Sequence, residues 1–289
     1  MQTATNDSQR RSMIAAAASP SRTKLPQVTG LLEILDGRFF ALRVRCDDEH
    51  EYAIKGIPSR QCRRARRRSY GRTLFVEQAV ARLGQALVTP IPDVSLVELT
   101  SEFIQCGTWT RCLEPGICHS LDWIDHVRDT QSIDEILTAN SDGQNRERVA
   151  ALAVLIGWFS NTPGDTQFLL ESQPPYRVFS VDHGLLADGI PIWESVRKLD
   201  VWQGRGVRPH HAMTRHLKQW CNQQPHEIPE IRAVAERLAQ VTDWQIAQSL
   251  AHQPNAWGVG MCQRAQMMKY LQQRRDEMVR VCSNGMWSN

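Results

Sequence analysis

The chain carries two acidic residues in settings that suit phosphoryl transfer. Asp182 ends an apolar, β-like run over residues 176–181 and precedes His183-Gly184, while Asp165 lies upstream in a Pro-Gly-containing loop. Phosphoryl transfer to a hydroxyl uses one carboxylate to orient the acceptor and a second to hold Mg²⁺ against the nucleotide phosphates. Because Asp and Gly also mark ordinary turns, Asp-His-Gly alone indicates a turn more readily than a metal site.

A lysine and a glutamate upstream add two parts of a nucleotide site. Residues 51–56 are typical of a short strand with Lys55 at its end, and Ala-Ile-Lys is the tail of a pattern whose lysine reaches nucleotide phosphates. Residues 73–87 place apolar side chains at helical spacing, with Glu77 in the first turns. A helix packed on the strand would bring Glu77 to Lys55. The alternatives are an exposed strand lysine and a glutamate that stabilises the helix N-terminus.

These elements, in this order, resemble the HipA-like kinases, a bacterial branch of the protein-kinase-like fold. The resemblance runs in pieces from about residue 31 to residue 278. It includes the Lys55 strand, the Glu77 helix and residues 116–120, 157–161, 164–168 and 181–184. It implies an α+β, two-lobed protein-kinase-like fold with a small β-rich lobe and a larger, mostly helical lobe. It also implies an ATP- and Mg²⁺-dependent kinase that phosphorylates Ser or Thr on a protein.

The resemblance assigns a role to each candidate residue. Lys55 would hold the α- and β-phosphates with Glu77 as its ion-pair partner, Asp165 would orient or deprotonate the acceptor hydroxyl, and Asp182 would bind Mg²⁺. Such kinases hold a second metal with an Asn a few residues after the loop aspartate, where this chain offers Gln167 as the nearest amide. Because an amide brings no charge, it is a poorer ligand for a hard cation than a carboxylate.

Departures from the kinase pattern support a second hypothesis, a pseudokinase that binds nucleotide or a partner without transferring phosphate. No Arg precedes Asp165, where Pro163-Gly164 stand instead, and no Asn follows it in the expected region. No Gly-x-Gly-x-x-Gly occurs near the first strands, so close approach of the backbone to phosphates is harder to arrange. An active kinase and a binding module therefore stay open as alternatives.

One strongly basic segment, from Arg60 to Arg72, lies between the lysine strand and the glutamate helix. Three interpretations are open: a solvated loop, a docking surface for an acidic partner or nucleic acid, and assistance with nucleotide phosphates. The whole chain has a formal net charge of +3, and this segment alone carries a larger positive charge than that. The slightly acidic remainder argues against a dedicated nucleic-acid-binding protein.

The composition is that of a globular protein with one core or two lobes. Of its 289 residues, 42% are hydrophobic and 22% charged, which is ordinary for this class. The 8 cysteines are scattered, without Cys-x-x-Cys or a secretory leader, and this favours free thiols in the cytoplasm. No run approaches the ~20 apolar residues of a membrane span, so we expect no membrane partner.

The order of the elements predicts three parts. Residues 1–27 are expected to be a disordered tail, because they are rich in Ser, Thr and Ala and lack periodicity. Residues 28–113 would form the small nucleotide-binding lobe and residues 114–289 the helical lobe with the catalytic loop. Within the latter, residues 146–159 predict a buried helix, and residues 168–181 predict a hairpin that ends at Asp182.

Overall fold

Helices and antiparallel sheets make up a mixed α and β fold. The computed structural model describes residues 6–18, 24–36, 41–59, 67–107, 113–139, 144–159, 167–186, 207–221 and 228–285. Within these ranges there are nine α-helices and two sheets, one of five strands and one of three.

The larger sheet contains the lysine strand. Its strands are β1 (Val28–Asp36), β2 (Ala41–Cys46), β3 (Glu51–Lys55), β4 (Val94–Leu99) and β5 (Gly116–Asp122), in the spatial order β1-β2-β3-β5-β4. Alternation along β3 buries Tyr52 and Ile54 on one face and places Ala53 and Lys55 on the other. Since β5 pairs with both β3 and β4, this sheet extends past residue 113, where the sequence predicts the end of the small lobe.

The smaller sheet ends in the predicted hairpin. Its strands are β6 (Val127–Thr130), β7 (Gln167–Glu171) and β8 (Val178–Val181), all antiparallel. Gln167 at the start of β7 pairs with Val181 at the end of β8. The chain therefore leaves the sheet at Asp182 directly beside the strand that begins with Gln167.

The helix that carries Glu77, α2 (Arg67–Ala86), confirms the predicted amphipathic helix. Its apolar positions Val76, Val80 and Leu83 are buried. The helix begins at Arg67 rather than at residue 73, so Glu77 lies in its middle. This position excludes the alternative in which Glu77 merely stabilises a helix N-terminus, because the dipole effect is confined to the first turn.

Most of the remaining helices pack on one of two long helices, which contact each other. They are α1 (Asp7–Ala17), α3 (Ser101–Gln105), α4 (Ile133–Ala139), α5 (Gln144–Phe159), α6 (His211–Cys221), α7 (Pro229–Gln240), α8 (Asp243–Ala251) and α9 (Met261–Ser283). Helix α5 is buried on nearly all sides, as predicted, and contacts α6, α7 and α9. No helix within the described ranges combines the length and hydropathy that a bilayer crossing requires.

Side chains of α9 hold the C-terminal end of α5. Arg274 Nε donates to the carbonyl of Trp158 at 2.7 Å, and the Tyr270 hydroxyl donates to the carbonyl of Phe159 at 2.9 Å. The last carbonyls of a helix have no partner within the helix, so these contacts satisfy groups that burial would otherwise leave without a hydrogen bond. They fix the point from which the chain continues toward Asp165.

The N-terminal segment differs from its prediction. Residues 7–17 form helix α1 instead of part of a disordered tail, and Asn6 with Gln9 makes a capping box at its start. Ile14 is fully buried, and Arg10 Nε donates to Gln272 Oε1 of α9 at 2.8 Å. The helix packs on α8 and α9, so contacts distant in sequence order a segment whose own pattern is weak.

Candidate functional site

A cleft of about 610 Å³ is lined by side chains from both sheets. Ala53, Leu121 and Leu169 contribute apolar surface, and Lys55 and Asp182 contribute charge. Trp123, Ile124 and His126, which lie between β5 and the next strand, also line it. A volume of this size is typical of a small-molecule site, and polar or charged side chains make up nearly half of its lining residues.

Lys55 contacts both of the predicted acidic site residues in the described part of the chain, Glu77 and Asp182. Its Nζ donates to Glu77 Oε1 at 2.6 Å and to Asp182 Oδ1 at 3.0 Å. The predicted Lys55–Glu77 ion pair is therefore present, and Glu77 is 1% exposed. Burial lowers the pKa of Lys55, but the two carboxylates outweigh this effect and the net pKa is raised. The ammonium therefore stays charged at neutral pH.

The Asp-His-Gly turn packs directly on α2. Asp182 has φ of 64°, a left-handed conformation that Asp tolerates better than most residues. A Cβ added to Gly184 would lie 2.2 Å from Thr73 Cγ2, so only glycine permits this approach. The turn and the helix that carries Glu77 are thus in contact, which couples the position of Asp182 to that of α2.

Gln167 has a partner that sequence analysis missed. Its Nε2 donates to Asp129 Oδ1 of β6 at 2.8 Å, and both side chains line the cleft. A carboxylate only accepts hydrogen bonds, so the amide nitrogen must face Asp129 and Oε1 is the atom left to ligate a cation. Asp129 gives no motif of its own; only the pairing of β6 with β7 reveals it.

The last predicted catalytic residue, Asp165, lies outside the described residues, which resume at Gln167 after Phe159. The basic segment is also only partly described: residues 60–66 fall outside, and Arg67 to Arg72 belong to α2. The roles of Asp165 and of this segment therefore stay predictions.

His183 lies in the turn, but its side chain is not among those that line the cleft. It is fully buried, and its Nε2 lies 2.9 Å from the hydroxyl oxygen of Ser180. Burial first, with help from the charge of Lys55, lowers the pKa of His183 to about 3. The imidazole is therefore neutral at physiological pH.

The oxygen atoms of the site suit a divalent cation that arrives with a nucleotide. The described residues contain no group of three or more His, Cys, Asp or Glu side chains placed to hold a metal. Asp182 and Gln167 supply one carboxylate and one amide oxygen at the same cleft. Mg²⁺ commonly takes one or two carboxylates and completes its shell with water and substrate phosphates, so this small donor set fits Mg²⁺ bound together with phosphates.

Comparison with known proteins gives only a distant likeness. No family model matches the chain, and no curated protein matches it significantly. Among solved structures, the golgi casein kinase is 10% identical to this chain, with a TM-score of 0.41. The match covers 97% of this chain and 78% of the kinase chain. The structure of the Golgi casein kinase with Mn/ADP bound is also 10% identical, with a TM-score of 0.38 and coverage of 95% and 76%. These TM-scores are too low to establish a common fold, so the HipA-like resemblance stays a prediction.

Proposed function

We propose that this protein binds a nucleoside triphosphate with Mg²⁺ in the cleft and acts as a kinase with a two-lobed, protein-kinase-like arrangement. The observation that carries the proposal is the position of Lys55 between Glu77 and Asp182 at the wall of the cleft. These three residues come from the end of β3, the middle of α2 and the position directly after β8.

The charges of this trio favour a functional role over a stabilising one. A buried ion pair rarely stabilises a protein more than well-packed apolar residues of the same volume would. Here all three charged groups lie at the wall of a cleft, where the ammonium can reach phosphates and the Asp182 carboxylate can reach a cation that arrives with the nucleotide.

Each cleft residue has a distinct task in this proposal. Lys55 binds the α- and β-phosphates, and Glu77 fixes the direction of its side chain. Asp182 and the Oε1 atom of Gln167 would hold Mg²⁺, which would supply positive charge to neutralise the phosphates. The apolar side chains of Ala53 and Leu169 offer a surface for the nucleotide base.

The acceptor side of the reaction rests on the family resemblance. Asp165, which follows α5 in the sequence, would orient or deprotonate a hydroxyl on the acceptor. By the HipA-like resemblance, that acceptor is Ser or Thr on a protein. The neutral amide of Gln167 favours an alternative, a pseudokinase that keeps nucleotide but does not transfer phosphate.

Incubation of the purified protein with γ-labelled ATP and Mg²⁺ tests the proposal. We expect label to appear on the protein itself or on an added protein acceptor, and Asp182→Ala to reduce transfer by a factor on the order of 100. Asp276→Ala, which alters an exposed carboxylate of α9, is the matched control and should keep full activity.

The other outcomes separate the alternatives. Nucleotide binding without transfer to any acceptor would identify the pseudokinase. A wild-type protein that neither binds nor transfers would overturn the assignment of the cleft, and equal transfer by Asp182→Ala would remove Asp182 from the site.

A further inference from the structure

A buried histidine lies behind the ion pair and has no task in the proposed function. His119 is on β5, directly opposite Lys55 in the register of β3 and β5, and it is 1% exposed. Burial above all, and then the charges of Lys55 and Arg82, lowers its pKa well below the ordinary value. A neutral imidazole has one nitrogen that donates and one that accepts, so its tautomer decides what it can do for its neighbours.

The side chains on one flank of His119 determine that tautomer. An arginine can only donate, so Gln78 Oε1 accepts from Arg82 Nε at 3.1 Å. The amide nitrogen of Gln78 then lies 2.6 Å from His119 Nδ1 and 3.3 Å from the carbonyl of Ser95. Because an amide NH₂ only donates, Nδ1 must accept, and the imidazole proton sits on Nε2.

The proton-bearing nitrogen is directed to the ion pair. His119 Nε2 lies 3.8 Å from Glu77 Oε1, the oxygen that also accepts from Lys55. Neither His119 Nε2 nor Glu77 Oε2 has a hydrogen-bond partner among the described residues, although both are buried. Buried polar groups are normally paired, and a small shift would bring Nε2–H within about 3 Å of the carboxylate.

We propose that Arg82, Gln78 and His119 form a hydrogen-bonded relay that directs an N–H group at Glu77 and so positions this carboxylate to accept from Lys55. His119 is thereby a positioning residue for the nucleotide site, and this role rests on the proposed function. Arg82, Gln78 and Glu77 all belong to α2, whereas His119 belongs to β5. The relay therefore also fastens α2 to the sheet in the position that brings Glu77 to the lysine.

The direction of the relay can be reversed by one substitution of nearly equal shape. In Gln78→Glu the new carboxylate only accepts, so the His119 proton moves to Nδ1 and Nε2 turns a lone pair toward Glu77. Arg82 keeps an acceptor in this variant, which limits damage to the fold. Gln78→Met removes the orienting contact without reversing it and serves as the matched control.

Two measurements test the proposal. Nitrogen-15 NMR of the wild-type imidazoles, with His119→Phe to assign the signal, should show the neutral Nε2–H tautomer for His119. Binding of a non-hydrolysable ATP analogue with Mg²⁺ should weaken by about tenfold in Gln78→Glu, as expected for loss of one hydrogen bond to a charged group, and by less in Gln78→Met.

The outcomes distinguish failure of the relay from failure of the proposed function. An Nδ1–H tautomer in the wild type overturns the relay, and this result needs no variant to fold. If the wild type binds the nucleotide and folded Gln78→Glu binds it equally well, His119 does not position Glu77. If the wild type shows the expected tautomer but binds no nucleotide, the proposed function fails while the orientation of the relay stands.

Discussion

At the scale of single residues, the site depends on a buried pair of opposite charges. The Lys55 ammonium donates to the buried Glu77 carboxylate at 2.6 Å. Removing one partner of a buried pair leaves an uncompensated charge, at a cost of about 3–5 kcal/mol. Substitution of Lys55 therefore disturbs folding as well as binding, whereas a change at the half-buried Asp182 is a cleaner probe of function.

The buried histidines make stability depend on pH in a predictable direction. The pKa of His119 is lowered in the folded protein, so below about pH 6.5 the unfolded chain takes up a proton that the folded chain does not. The free energy of unfolding should therefore be unaffected by this group above pH 6.5 and should decrease as the pH falls below it. The loss is on the order of 1 kcal/mol per pH unit for such a histidine.

Urea denaturation at pH 7 and pH 5 measures this effect. We expect His119→Phe to lose less stability between the two pH values than the wild type, whatever its stability at pH 7. An identical difference in His119→Phe and wild type would contradict the assignment of a neutral buried imidazole.

The key residues differ in how far sequence could predict them. Lys55, Glu77 and Asp182 fall in short patterns whose order is informative, and the structure brings them together. His119 and Asp129 could not be found this way, because their partners are set by the pairing of β5 with β3 and of β6 with β7. Such long-range register leaves no local mark in the sequence.

At the scale of elements, helix α2 ends in a motif that carries an unfavourable residue. The Thr89 amide donates to the carbonyl of Gly84 and the Val88 amide to that of Gln85, at 3.0 and 3.1 Å, which is the Schellman pattern. Val88 has φ of 56° and is 69% exposed. A β-branched residue is strained in this left-handed conformation, where glycine is preferred.

Replacing Val88 with glycine should stabilise the protein. Relief of the left-handed strain contributes about 1–2 kcal/mol, and the greater freedom of glycine in the unfolded chain offsets part of it. We expect a higher urea midpoint for Val88→Gly than for wild type. Val88→Ala retains a Cβ, so its urea midpoint should rise less. A lower midpoint for Val88→Gly than for Val88→Ala would contradict the claim that Val88 is strained.

Sequence patterns predicted the elements with strong periodicity and missed a weak one. The apolar spacing in α2 and α5 and the hairpin before Asp182 all match the structure. Residues 1–27 were expected to be a disordered tail, because they are rich in Ser, Thr and Ala and lack periodicity. Helix α1 nevertheless forms there and buries chiefly Ile14 and Ala17 against helices that follow more than two hundred residues later. Tertiary packing, rather than local propensity, accounts for most helix stability.

At the scale of the whole molecule, the cleft depends on strand order that departs from chain order. Strand β5 lies between β3 and β4. It places His119 next to Lys55, and its Leu121 forms part of the cleft wall. Consecutive strands are neighbours only about two-thirds of the time, so a boundary drawn at residue 113 from element order separated β5 from its own sheet.

The dependence of nucleotide affinity on Mg²⁺ tests the central claim most directly. Titration calorimetry would use a non-hydrolysable ATP analogue, with and without Mg²⁺, on the wild type, on Asp182→Asn and on Asp276→Asn as a surface control. Asp182→Asn keeps the shape of the side chain but removes the charge that a hard cation requires. We predict that Mg²⁺ increases the affinity of the wild type and of the control, and that Asp182→Asn loses this increase while circular dichroism shows an unchanged fold. Equal Mg²⁺ dependence in Asp182→Asn and wild type, or no binding by the wild type, would contradict the account.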